Sequence, residues 1–236
     1  VTILPLRLSG LSYVAGGRAL IDAVDLAIGA GAPTVILGPN GAGKSLLLRL
    51  CHGLLAPAAG TVCWLGPDAQ DAPRRQAMVF QRPVLLRRTV AANLDYVLTL
   101  RGLKRSRRSE RIATLLAEAG LSGLAGRLAP LLSGGEQQKL ALARAWAVEP
   151  EVLFLDEPTA SLDPGATLAV EALISRIAAG GTKIVMTTHD MGQARRIAAE
   201  IIFLHRGRML EQGQAAAFFA QPETDTAARF LAGQLI

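Results

Sequence analysis

Short apolar runs bounded by Gly, Pro and Asp alternate along the chain with stretches whose apolar residues recur at helical spacing. That alternation predicts βαβ units and a mainly parallel sheet, hence an α/β fold. Residues 33–37 read as a strand, followed by a Gly-rich turn and a helix over about 43–52. Residues 61–65 and 77–80 read as further short strands. Residues 152–155 and 184–187 are continuous apolar or β-branched runs, the pattern of strands buried on both faces. Residues 4–28 alternate instead, in the manner of antiparallel strands.

Between about 89 and 148 the period becomes helical. Ala91, Leu94, Val97, Leu98 and Leu100 give one apolar stripe, and Ile112, Leu115, Leu116 and Ala119 a second. A helical insertion of that length inside an α/β chain predicts a subdomain beside the sheet, within a single domain spanning 1–236. An apolar content of 50% fits a substantial core, and nothing reads as a repeat array or a low-complexity segment.

The formal charge of +6 is local: Arg101, Lys104, Arg105, Arg107, Arg108 and Arg111 crowd one stretch. It reads as the solvated start of a helix, with a bilayer face or a membrane partner as the alternative. Cys51 and Cys63 imply no disulfide framework and read as reduced thiols. The N-terminal residues lack the form of a secretory signal. The uncharged windows 26–43 and 50–67 are broken by Gly and Pro, so neither predicts a spanning helix, and the chain is expected to be soluble.

Two motifs carry chemistry. Gly38-Pro39-Asn40-Gly41-Ala42-Gly43-Lys44-Ser45 follows an apolar strand and opens a helix, the context of a phosphate-binding P-loop. Glycines let consecutive N–H groups curl inward, and the helix start adds partial positive charge. Lys44 is suited to the β- and γ-phosphates of ATP and the Ser45 hydroxyl to Mg2+. The second motif, Val152-Leu153-Phe154-Leu155-Asp156-Glu157, is a buried strand ending in two carboxylates. Asp156 is placed to hold the metal, and Glu157 to orient or deprotonate the attacking water.

At Leu132-Ser133-Gly134-Gly135-Glu136 the pattern becomes specific. It resembles the signature sequence of ABC ATPases, and Pro158-Thr159-Ala160-Ser161-Leu162-Asp163 resembles the continuation after their catalytic Glu. Tyr13 stands at the place of the adenine-stacking aromatic, Gln81 at that of the lid-loop glutamine, and His189 at that of the switch histidine. The resemblance covers about 8–213. It implies a P-loop NTPase core with an N-terminal antiparallel β subdomain and an inserted helical signature subdomain. Ser133-x-x-Glu136 is also a capping box, so the same residues read locally as a helix start. Two positions depart from the family: Leu46 replaces a frequent Thr, removing one hydroxyl, and Glu136 replaces a commoner Gln.

The resemblance implies an ATPase motor that uses ATP and Mg2+. Its expected catalytic residues are Glu157, His189, Lys44 and Gln81. Tyr13, residues 38–46 and Ser133 to Glu136 would bind nucleotide, with Ser45, Gln81 and Asp156 at the metal. The expected partners are a second copy in a head-to-tail homodimer, a separate membrane permease and an extracytoplasmic solute-binding protein. Nucleic acid is not among them. The motor would sit on the cytoplasmic face of the membrane, serving an importer. The segment from Arg82 to Val90 leans toward oxyanions such as tungstate, molybdate or phosphate. An exporter motor and a DNA- or ribosome-associated ABC ATPase are the alternatives. A non-hydrolytic regulatory cassette would be expected to lack Glu157 or His189, and both are present.

Overall fold

The computed structural model describes residues 2–234; Val1, Leu235 and Ile236, the ends of the expected 1–236 domain, lie outside them. In chain order, β1 (Leu6–Ala15) and β2 (Arg18–Ile28) form a hairpin, and β3 (Thr34–Leu37) runs through the Gly-rich turn into α1 (Lys44–His52). β4 (Ala59–Trp64), α2 (Ala72–Arg75) and β5 (Gln76–Val79) follow. Then come α3 (Val90–Leu100), α4 (Arg105–Glu118) and α5 (Gly134–Trp146). The remainder alternates again: β6 (Val152–Asp156), α6 (Pro164–Ala179), β7 (Lys183–Thr188), α7 (Met191–Ile197), β8 (Glu200–His205), β9 (Arg208–Gln214), α8 (Ala215–Ala220) and α9 (Asp225–Leu231).

These strands make two sheets. The larger has the order β5-β6-β7-β3-β8-β9, with every neighbouring pair parallel except β8 and β9. The smaller is antiparallel, in the order β2-β1-β4. The sequence places a short strand near β4 but does not assign it a sheet; it pairs with β1 and packs Val62 and Trp64 on the cluster that holds α1.

Alternation within the buried strands builds two apolar clusters. Leu153 and Leu155, Ile184 and Met186, and Ile201 and Phe203 face the cluster shared with α3 to α6. Val152 and Phe154, Val185, and Ile202 and Leu204 face the other, which holds α1 and the small sheet. Fully burying such a side chain is worth about 1.5–3 kcal/mol. α1 is thereby clamped between two sheets, which fixes its N-terminus in space.

Side-chain caps set the helix starts. Thr89 accepts from the Ala92 N–H at 3.2 Å, Asp163 from Ala166 at 2.9 Å and Asp190 from Gln193 at 3.0 Å. Leu94 and Leu98 of α3 are buried as the stripe predicts, but Leu100 is 69% exposed. It lies in the last turn of α3, past the packed face.

The basic stretch is less free than a solvated helix start. Lys104, Arg105 and Arg107 are exposed, whereas Arg108 pairs with Asp95 at 2.7 Å and donates to the Leu103 carbonyl at 3.0 Å. Arg111 pairs with Glu149 at 3.3 Å, and Arg101 donates to the Arg74 and Val148 carbonyls. Half of the cluster therefore ties the helical insertion to itself, to α2 and to the connection between α5 and β6. Cys51 is buried, its thiol pushed up to about 12 by desolvation, and inert. No helix among the described residues is long and apolar enough to cross a membrane.

Candidate functional site

The turn between β3 and α1 encloses a cavity of about 800 Å³, lined by residues 40–46 together with Gln81, Glu157 and His189. Two glycines are required by the close packing of this turn. A Cβ on Gly38 would stand 2.1 Å from the Leu204 carbonyl oxygen. Gly43 has φ of +100°, and its Cβ would meet Ile21 Cδ1 at 2.8 Å. The first N–H groups of α1 have no intrahelical acceptors and carry the positive end of the helix dipole. The cavity is therefore a site for an anion, with the donors fixed before one arrives.

Lys44 is buried, and every contact of its ammonium is accounted for. Nζ donates to the Gly38 and Pro39 carbonyls at 3.0 and 3.1 Å, and pairs with Glu157 Oε1 at 3.2 Å. Gly38 and Pro39 thus lie behind the cavity and hold its cation. The other oxygen of Glu157 meets His189 Nδ1 at 3.1 Å. One carboxylate, itself only 12% exposed, bridges the lysine and the histidine.

Ser45 Oγ donates to Asp156 Oδ1 at 2.6 Å, so two expected metal ligands already touch. The same Oδ1 accepts from the Thr187 hydroxyl at 3.0 Å, and Oδ2 lies 3.8 Å from an Arg49 guanidinium nitrogen. Gln81 follows β5 and lines the cavity from the other side. Leu46 lines it as well while packing against the α1 cluster, so no second hydroxyl stands there.

The remaining expected residues are not brought into this cavity. Tyr13 is half-buried against the small-sheet core; its β2 partner Ile21 adjoins Leu20, which does line the cavity. Ser133 and Gly134 sit exposed at the start of α5. Gly134 instead borders a second hollow of about 420 Å³, which shares Gln81, Ala160 and Ser161 with the first. Gly135 is buried against Ala166 of α6. Glu136 turns inward: it accepts from the Ser133 N–H at 2.7 Å while Ser133 Oγ accepts from the Glu136 N–H at 3.4 Å. The Ser133 backbone and side-chain hydrogen bonds hold its carboxyl below the usual range. Glu136 thus completes a cap.

Sequence reasoning missed Arg49 and Thr187. Thr187 had one signal, a hydroxyl interrupting the apolar run that ends β7. It also missed the brace behind the Asp156–Glu157 continuation. Gln193 donates to Thr159 at 2.7 Å and to Glu171 at 3.1 Å, and Arg196 grips Glu171 with two bonds of 2.7 Å.

Comparison with known proteins identifies the family. The ABC transporter family description matches residues 21–160. The tungstate uptake system ATP-binding protein TupC of Peptoclostridium acidaminophilum is 39% identical over 91% of this chain and 99% of its own. A phosphate import ATP-binding protein, PstB 2 of Natronomonas pharaonis, is 37% identical over 98% of this chain and 87% of its own. A methionine import ATP-binding protein, MetN of Leifsonia xyli, is 40% identical over 90% of this chain and 66% of its own. Among solved structures, cbiO1 of Clostridium perfringens, part of the transporter complex cbiONQ, superposes with a TM-score of 0.82. It is 26% identical, over 95% of this chain and 94% of that one. With its family match and these relatives, the chain belongs to the ABC transporter family as one of its ATP-hydrolysing, ATP-binding subunits.

Proposed function

We propose that this ATPase powers uptake of a small oxyanion, such as tungstate, through a separate permease fed by an extracytoplasmic binding protein. It would sit peripherally on the cytoplasmic face of the membrane. The named solutes of two relatives, tungstate and phosphate, support the oxyanion. Methionine, the solute named for a third, is the competing cargo. Selectivity lies in partners outside this chain, so the test is made on the assembled transporter: tungstate or molybdate, and not methionine, stimulates its ATPase. Stimulation by methionine alone overturns the oxyanion.

The observation that carries the motor assignment is the Glu157 carboxylate held between Lys44 and His189 at the mouth of the anion turn. In this reading the α1 N–H groups and Lys44 receive the β- and γ-phosphates. Glu157, released from Lys44 as the phosphate takes its place, accepts the proton of the attacking water. His189 fixes the Glu157 carboxylate and adds a donor toward the γ-phosphate. Tyr13 offers its ring to adenine beyond Leu20.

The donors Ser45, Asp156 and Gln81 are a hydroxyl, a carboxylate and an amide, all hard oxygen ligands that suit Mg2+. Asp156 is the one carboxylate among these three donors, so the protein would supply only part of the ion's shell. That fits an ion which keeps waters and substrate phosphates in its shell. Bound there, Mg2+ neutralises phosphate charge.

Ser133, Gly134 and the Ser133–Glu136 cap belong in this reading to nucleotide held by a second copy, arranged head to tail. Their exposure, away from their own chain's turn, supports it. Light scattering on Glu157→Gln with and without Mg-ATP tests the pair of claims. A nucleotide-dependent dimer is expected, lost again when Ser133→Arg is added. A dimer that survives Ser133→Arg overturns the role of the signature loop.

A further inference from the structure

One side chain outside the motifs links the Asp156 carboxylate to the Glu157 backbone. Thr187 stands directly opposite Asp156 in the parallel β6–β7 register and is fully buried. Its Oγ1 donates to Asp156 Oδ1 at 3.0 Å and accepts from the Glu157 N–H at 3.0 Å. The Leu155 carbonyl, the alternative acceptor, is farther at 3.5 Å and uncharged, so the hydroxyl proton goes to the carboxylate. Glu157 itself has φ of +42°, a left-handed conformation that a non-glycine residue holds only when its surroundings impose it.

We infer that Thr187 is a positioning residue for ATP hydrolysis, setting the distance and angle between the metal-holding carboxylate of Asp156 and the water-activating carboxylate of Glu157. The inference rests on the roles proposed above for those two groups. Asp156 Oδ1 has two hydroxyl donors, Ser45 from the helix and Thr187 from the sheet. Ser45 is the partner that must turn toward the metal. Thr187 is the one able to keep Oδ1 in place while Ser45 does so. The same hydroxyl anchors the left-handed backbone of Glu157, whose side chain must reach the water. Thr187 also lies two residues before His189, which follows β7 and meets the Glu157 carboxylate, so one strand end holds both the Glu157 backbone and the imidazole against its side chain. Supporting groups of this kind are typically worth about 10- to 100-fold in metal affinity or activity.

Thr187→Val keeps shape and β-branching but removes the hydroxyl; Thr187→Ser keeps the hydroxyl. Turnover and KM for ATP are measured for both, beside Glu157→Gln. Calorimetry then follows Mg2+ titrated into each variant loaded with a non-hydrolysable ATP analogue. The expected result is a fall in kcat of about 10- to 100-fold for Thr187→Val with KM changed less than about 3-fold, and Mg2+ bound more weakly. Thr187→Ser should recover most of both. Should Thr187→Val not fold, Thr187→Ala and Thr187→Ser are compared in its place, and equal turnover and Mg2+ affinity in that pair overturns the inference. Wild-type kcat and Mg2+ affinity in folded Thr187→Val also overturn it, while an inactive Glu157→Gln leaves the assignment of the base standing. Wild-type turnover in Glu157→Gln would overturn both.

Discussion

The turn after β3 and the start of α5 are both Gly-rich helix N-termini, yet they are built to opposite ends. At the first, Lys44 is 4% exposed and every charged group has a partner inside the chain: Lys44 with Glu157, Ser45 with Asp156, Glu157 with His189. At the second, Ser133 and Gly134 are exposed and bonded only to their own cap. The first helix is clamped between two sheets; the second exposes Ser133 and Gly134 and buries only Gly135 of its first turn, against Ala166. Side chains from α1 and from the ends of β6 and β7 converge on the first site, which is why it has a shape before any ligand binds. The second borders only the smaller hollow beside Gln81, Ala160 and Ser161, with no buried charge in it.

The sharpest break in this comparison comes from Glu157→Gln. It retains hydrogen bonding to His189 but cannot accept a proton, so phosphate release should slow by about 10²–10⁴-fold. Wild-type rates would remove the base from the first site. Next is Lys44→Ala, which deletes the buried countercharge. ATP affinity by calorimetry should fall about 10- to 100-fold, the range expected for losing hydrogen bonds to a charged group. Unchanged affinity would mean that the turn binds through its N–H groups alone.

Ser133→Ala should instead leave ATP affinity of the isolated chain as it was and lower stability by about 1 kcal/mol, the usual worth of a cap. Denaturant titration separates the two effects. Glu136 adds a pH signature. Its folded carboxyl lies below the unfolded value, mainly through the Ser133 N–H, so its contribution is present above the ordinary Glu range. That contribution is lost as pH falls through the folded value. The stability gap between wild type and Glu136→Ala should therefore shrink on acidification, and a gap constant with pH would contradict the cap.

The smallest effects belong to the basic stretch. Arg105→Gln with Arg107→Gln should leave basal turnover unchanged, both being exposed and remote from the turn. Arg108→Gln loosens α3 from α4 and should cost up to about 1 kcal/mol by thermal unfolding. A large loss of turnover in the first pair would show that the stretch reaches the nucleotide site.

Legibility followed locality. The P-loop, the Asp156–Glu157 strand end and the Ser133–Glu136 cap were readable because each is a short contiguous pattern whose geometry is set by neighbouring dihedrals. The strands at 33–37, 152–155 and 184–187 were readable because burial on both faces leaves an unbroken apolar run. The Leu100 stripe failed because period alone does not say where a helix leaves its neighbours. Arg108 and Arg111 read as solvated because their partners, Asp95 and Glu149, lie across helix contacts that spacing does not reveal.

The sequence by itself determined the α/β alternation, the anion-binding turn, the two carboxylates and the family. The turn and the carboxylates each lie within one turn or one strand end, and the alternation and the family are a succession of such local patterns along the chain. Only the tertiary structure decided that β4 joins the small sheet, that Tyr13 stands outside the phosphate cavity, and that Asp156 faces Thr187. Strand order and register bring together residues 31 positions apart, as they do Thr187 and Asp156. No local propensity encodes such a pairing, because it is set by how the two faces of the sheet bury their alternating side chains.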